Sequence, residues 1–140
     1  MDNTKISPWY NKNGMQPAVW GPPLWFFLHT MSFNYPAEPT MDQKVQYLTF
    51  FKTLGYVLPC KHCRDAYQAY TANLDLNAFK DRMALTRWVY NLHNAINAKL
   101  GKLTSPSFES VVYAYDNLRG GGKPKKRSKV VVFDMPPLDP

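Results

Sequence analysis

Cysteine is scarce in this 140-residue chain: there are two, three positions apart. A secreted disulfide scaffold is excluded, because such folds need several bridges across long loops. Long apolar runs are missing too. Nothing approaches the ~20 consecutive apolar residues that span a bilayer, and Met1 to Gly14 lacks the apolar stretch of a signal peptide. A soluble chain with no membrane partner, not secreted by the usual route, is expected. No internal repeat is visible. What is abundant is aromatic: 15% of residues, four of them Trp. Each buried ring removes about 150–250 Å² from water, so the rings either pack a core or line a site for something large and flat.

The net charge of +7 is unevenly spread. Up to residue 118 there are 11 Lys and Arg against 8 Asp and Glu, whereas Arg119, Lys123, Lys125, Lys126, Arg127 and Lys129 face only Asp134 and Asp139. The globular part is close to ordinary, and the basic signal belongs to an appendage. Gly120-Gly121-Gly122, the lysines and Pro136-Pro137 cannot build a core. Three regions are therefore expected: an irregular arm over residues 1–16, a helical domain over 17–118, and a basic flexible tail over 119–140. Val130–Phe133 could add a short strand. The tail is read as solvated; a nuclear address or a nucleic-acid contact through Lys123–Arg127 is the lesser reading.

Between the arms the pattern is helical. Pro22 and Pro23 suit the first turn of a helix carrying Trp25, Leu28 and His29 and running out at Tyr35-Pro36. Thr40 and Gln43 have capping-box spacing, followed by Val45, Leu48, Phe51 and Leu54 down one face. Pro59 breaks the chain before Cys60, and Ala66, Tyr67 and Tyr70 continue a short helix. Leu85, Trp88, Val89, Leu92, Ile96 and Leu100 step by three and four until Gly101 caps the clearest helix. Ser105 and Pro106 read as cap and first turn of a last helix with Phe108, Val111, Val112, Tyr115 and Leu118 inward. The fold class is all-α: a four-helix bundle plus a short fifth helix.

Three clusters carry candidate chemistry. Cys60-Lys61-His62-Cys63 places two thiols at a helix start, where a strained disulfide can close and a thiolate is favoured. Lys61 and Arg64 would favour the charged sulfur if they lie near it. Two thiols could instead be half of a zinc site, with His29 and His93 completing a Cys2His2 set, though the spacing matches no zinc-finger pattern. A thioredoxin context is absent, since no strands flank the motif. The second cluster is His93, Asn94 and Asn97 with Lys99 and Lys102, a polar patch that could meet an adenosine and phosphates; a solvated helix face is the simpler reading. The third is Trp25 with His29, one turn apart, and Tyr35.

In order and spacing, Trp25-x-x-x-His29-Thr30, Tyr35-Pro36, Pro59-Cys60-x-x-Cys63 and Trp88-x-x-x-x-His93-Asn94-x-x-Asn97 resemble the signature of the Erv/ALR sulfhydryl oxidases over about residues 20–118. The resemblance implies a helical bundle holding FAD, with the Cys60–Cys63 disulfide against the isoalloxazine. It implies FAD contacts from Trp25, His29, Cys63, His93, Asn94, Asn97 and Lys102, with Tyr35, Trp88 and Lys99 as weaker candidates. It further implies thiol oxidation with O2 reduced to hydrogen peroxide, a dithiol protein or thioredoxin-like relay as partner, and a homodimer. Trp20-Gly21-Pro22, in place of the Gly-Arg common in cellular members, looks more like members from large DNA viruses, which points to the cytoplasm of an infected host cell or the virion. Ser110 stands near the position of an expected further cysteine, so packing alone must hold the bundle. Cys60, at the outer end of the motif, is expected to be the more exposed sulfur and the one that meets substrate; Cys63 is the leaving group. The rival reading is a zinc-stabilised helical adaptor without catalysis.

Overall fold

The computed structural model describes residues 14–101 and 106–122. Lys102, Ser105, Val130–Phe133 and the lysine-rich tail lie outside them, so the readings made at those positions are carried no further. The described residues form five α-helices: α1 (Pro17–Asn34), α2 (Met41–Val57), α3 (Lys61–Tyr70), α4 (Arg82–Lys99) and α5 (Phe108–Asp116). A 3-10 turn, Leu76–Phe79, joins α3 to α4. Its Asp75 cap was not foreseen; the Asp75 carboxylate accepts from the Asn77 N–H at 2.9 Å.

The first helix departs from expectation at its start. Pro17, not Pro22, occupies the opening turn, and Pro22 and Pro23 fall inside α1. Neither proline has an N–H, so the carbonyls of Ala18 and Val19 lack their usual helical donors. The Trp20 indole N–H ties this half to the preceding segment by donating to Met15 O at 3.0 Å. The helix ends before Tyr35, whose extended backbone suits a residue preceding proline.

The capping box of α2 forms as read: Gln43 N–H donates to Thr40 Oγ1 at 3.2 Å, and Thr40 N–H to Gln43 Oε1 at 2.9 Å. Its buried stripe is Phe51, Leu54 and Leu58, while Val45 is exposed. Three-residue steps drift around a 3.6-residue helix, so the stripe keeps its face only by the final four-residue step. Gly55 lets α3 come close: a Cβ there would stand 2.8 Å from Tyr67 Cδ1, and the Tyr67 hydroxyl donates to Phe51 O at 2.6 Å.

In α4, Leu85, Val89 and Leu92 are fully buried, and Gly101 follows the helix at φ +74°, the left-handed conformation expected of a C-terminal glycine. The last helix is capped by Ser107, two residues beyond the expected Ser105, through Ser110 N–H to Ser107 Oγ at 3.2 Å. Phe108, Val111 and Tyr115 turn inward as read. Arg119, assigned above to the tail, instead returns to the bundle, donating to Phe33 O at 2.9 Å.

The main core joins α1, α2, α3 and α4 through Leu28, Tyr35, Phe51, Tyr67, Phe79, Leu85, Val89 and Leu92, and a smaller one seats α5 on α1 through Phe33, Val111 and Tyr115. Phe79→Ala is expected to cost about 3–5 kcal/mol, the range for emptying a buried aromatic site. Thr40→Ala, which removes only a helix cap, should cost about 1 kcal/mol. Denaturant midpoints of the two variants test this; equal losses would contradict the placement of the core.

Candidate functional site

Pro59 ends α2's exit, and Cys60 adopts an extended backbone (φ −157°, ψ 125°) as the N-cap of α3. In this role its side chain accepts the hydrogen bond that a Ser or Asp would take: Cys63 N–H donates to Cys60 Sγ at 3.3 Å. The sulfur of Cys60 thus sits at the positive end of α3, with Cys63 one turn in. Both are free thiols here.

Exposure runs opposite to expectation. Cys60 is only 6% exposed and Cys63 is the more open of the two. The cause is the segment before α1: Gly14 forms an antiparallel bridge with Cys60, and Met15 N–H donates to Pro59 O. This pairing is long-range and left no signal in the spacing of residues.

Beside the cysteines lies a cavity of about 880 Å³, bounded by the first half of α1, the end of α2, α3 and the last turn of α4. Leu24, Trp25, Leu28, Leu54, Leu58, Ala66, Tyr67 and Ile96 give it apolar walls, and Cys60, Cys63, Asn97 and Lys99 stand among them. Leu28, Leu54, Ala66 and Ile96 were read in the sequence as helix-face residues, and their place on a cavity wall was not foreseen.

Of the candidate cofactor residues, Trp25, Cys63, Asn97 and Lys99 line this cavity. His29 and His93 sit directly behind Trp25: His29 Nε2 and His93 Nδ1 share a hydrogen bond at 2.8 Å, and Trp25 stacks on His93 with centroids 3.9 Å apart. Asn94 is half-buried on α4 but not on the cavity wall. The solvated-face reading of this helix is overturned, because His93 and Asn97 are buried. Tyr35 and Trp88 do not reach the cavity. Tyr35 is fully buried, its hydroxyl donating to Phe79 O at 2.6 Å, and Trp88 packs on Phe51 and Phe79. Their signature positions are used for packing.

Burial, then the hydrogen bond and charge of Cys60, push the Cys63 thiol up to about 12. Arg64 counters this weakly, since its guanidinium is engaged with Leu58 O at 2.7 Å. Lys61 gives no help to the sulfurs, being paired with Asp65 at 2.8 Å on the exposed side of α3. Burial also holds His29 down to about 4 from 6.5, so it is neutral at pH 7.

The walls suit FAD. They are apolar and large enough for a flat ring system, and two buried polar atoms, His29 Nδ1 and Asn97 Nδ2, have no hydrogen-bond partner among the described residues. Such orphans are rare in native structures unless a ligand, ion or water completes them. A metal fits less well: among the described residues no group of three or more His, Cys, Asp or Glu could hold one. The two histidines face each other and Trp25, which leaves the Cys2His2 alternative without support.

Residues 22–113 match the model of the Erv1 / Alr family. The chain belongs to that family. It is similar to a probable FAD-linked sulfhydryl oxidase of Acanthamoeba polyphaga mimivirus, 35% identical over 118 residues, covering 81% of this chain and 78% of that protein. A putative FAD-linked sulfhydryl oxidase of Invertebrate iridescent virus 6 is 30% identical over 66% of this chain and 88% of its own length. Among solved structures, the yeast Erv1 core superposes with a TM-score of 0.68 at 25% identity, covering 81% of this chain and 95% of that one. The FAD-binding domain of Erv1 from Saccharomyces cerevisiae gives the same TM-score at 26% identity, covering 74% and 96%.

Two outcomes follow from the site. Asn97→Leu removes the orphaned donor while keeping the branching of the side chain, so the flavin-free variant should melt no lower than the parent, yet retain less flavin after gel filtration; full retention would remove Asn97 from the binding site. Because His29 has a folded pKa below its unfolded value, its contribution is fully present above about pH 6.5 and is lost as pH falls towards 4. Melting temperature should therefore drop from pH 7 to pH 5, and drop less in His29→Asn; identical pH profiles would refute the assignment.

Proposed function

We propose that this chain is an FAD-dependent thiol oxidase that forms disulfides in a dithiol protein, working through Cys60 and Cys63. The observation that carries the reading is the placement of the Cys60–Cys63 pair on the rim of an apolar cavity that also exposes Asn97 and Lys99. Bound FAD supplies a two-electron acceptor that passes its electrons to O2, giving hydrogen peroxide. Trp25 and Asn97 would hold it from the wall with Lys99 at the edge, and His29 and His93 would support Trp25 from behind.

The chain's own part is thiol exchange. A substrate thiolate attacks Cys60 Sγ, the Cys60–Cys63 bond breaks, and Cys63 takes the electron pair on the cavity side. The substrate's second thiolate then attacks its partner sulfur and releases Cys60, leaving a substrate disulfide and a reduced pair. Two of the three causes that raise the Cys63 thiol come from Cys60. They fall away while Cys60 is tied in the mixed disulfide, so the released Cys63 sulfur holds a proton less strongly at that moment than it does in the reduced pair.

The partner is a dithiol protein or a thioredoxin-like relay, since two cysteines leave no second pair in the chain to carry electrons. Exposed apolar side chains on α1 and α2, Val19 and Phe27 on the one and Val45, Tyr56 and Val57 on the other, favour a homodimer through these helices. Among the described residues no helix is long and apolar enough to cross a membrane. The viral relatives favour the cytoplasm of an infected cell or the virion as its place of work.

The purified protein should be yellow. Anaerobic addition of a small dithiol should bleach it, and air should restore the colour with release of peroxide. A colourless preparation carrying stoichiometric zinc would favour the adaptor reading instead.

A further inference from the structure

Cys60 is a capping residue whose extended backbone also offers an edge for pairing, and that edge is taken. The antiparallel bridge to Gly14 and the Met15 N–H donated to Pro59 O are the only strand-like contacts among the described residues. Gly14 makes this possible at φ +102°: a Cβ there would stand 2.7 Å from Cys60 Cα and run into Pro59 O. The Trp20 indole holds the segment from the other side through Met15 O. Gly14–Gln16 thus forms a strap along the backbone of the residue whose sulfur the proposed chemistry presents to substrate, and Cys60 as a whole keeps 6% exposure.

A covered nucleophile acceptor must be uncovered, and what remains then is a main-chain edge beside a reactive sulfur. Residues directly opposite one another in an antiparallel pair have Cα atoms about 4.5–5.5 Å apart. A disulfide requires a Cα separation of about 4.4–6.8 Å. The first range falls within the second, so a strand pairing with Cys60 holds its opposing cysteine at bonding distance. A substrate cysteine would enter at an ordinary extended φ, where its Cβ stands out of the pleat and avoids the close approach that Gly14 makes.

We propose that the Pro59–Cys60 edge is a docking site for the substrate's backbone: an extended peptide segment pairs antiparallel there in place of Gly14–Met15, with its attacking cysteine opposite Cys60. The residue after that cysteine donates its N–H to Pro59 O, as Met15 does in the strap. The bond changes are those of the exchange already described: the substrate–Cys60 S–S bond forms, the Cys60–Cys63 bond breaks, and the electron pair goes to Cys63. The inference rests on Cys60 being the sulfur attacked.

The test compares two synthetic dithiol peptides on the full-length, flavin-loaded enzyme. One carries an N-methyl group on the residue after the first cysteine, the other the same group three residues further on. Loss of one backbone hydrogen bond should lower kcat/KM about fivefold for the first peptide relative to the second. Equal values overturn the docking site. Gly14→Val, which cannot keep the strap in place, should lower KM for the second peptide; an unchanged or higher KM overturns the exchange of strap for substrate. Trapping keeps the two levels apart: a single-cysteine version of the peptide, activated as its mixed disulfide with thionitrobenzoate, is attacked by the free enzyme thiol with thionitrobenzoate leaving, and its capture by Cys63→Ser supports the underlying order. Capture by Cys60→Ser in its place sinks that order, and the docking site with it.

Discussion

Where α1 crosses α4, two imidazoles meet in a place otherwise filled by Leu28, Val89 and Leu92. His29 Nε2 and His93 Nδ1 share one hydrogen bond, and Trp25 lies flat on His93. A buried polar pair of this kind is sensitive to register, since sliding either helix would strand a donor or an acceptor in apolar surroundings. The pair therefore fixes how α1 sits on α4, and with it the cavity groups these two helices carry: Trp25 from one, Asn97 and Lys99 from the other. The cost is a histidine that must stay neutral. Burial secures that, at the expense of tolerance to acid.

The second constraint is the closeness of α2 and α3. Gly55 gives Tyr67 its place, the Tyr67 hydroxyl closes on Phe51 O, and Gln68 reaches Gly55 O at 2.9 Å. These contacts anchor a helix of ten residues that buries little else. Without them the cysteines would stand on a helix too short to be stable alone, and the hydrogen bond from Cys63 N–H to Cys60 Sγ would have no fixed direction.

Much of this was legible in residue spacing. The stripe Leu85, Val89, Leu92 and the box Thr40–Gln43 report local periodicity and local hydrogen bonding, which the chain carries in its order. The family signature located Trp25, His29, Cys60, Cys63, His93 and Asn97, and the structure brings these around one cavity or directly behind its wall. Tyr35 and Trp88 belong to the same signature but serve the core, a distinction that depends on what packs opposite them. Pro22 and Pro23 misled because prolines usually open helices, and here tertiary packing carries α1 through them. The burial of Cys60 could not be read at all. It comes from a bridge between residues forty-six apart, and such pairings have no local trace.

The two prolines inside α1 also divide that helix mechanically. With the rungs to Ala18 and Val19 missing, the helix is held together at this point by side chains and by the Trp20 indole, so bending costs least there. The half beyond carries Leu24, Trp25, Leu28 and His29 and is locked to α4; the half before carries the strap and the outer part of the cavity wall at Pro17, Ala18 and Trp20. A bend at the proline joint would move the strap and the outer wall together, while the inner wall, held to α4, keeps its place.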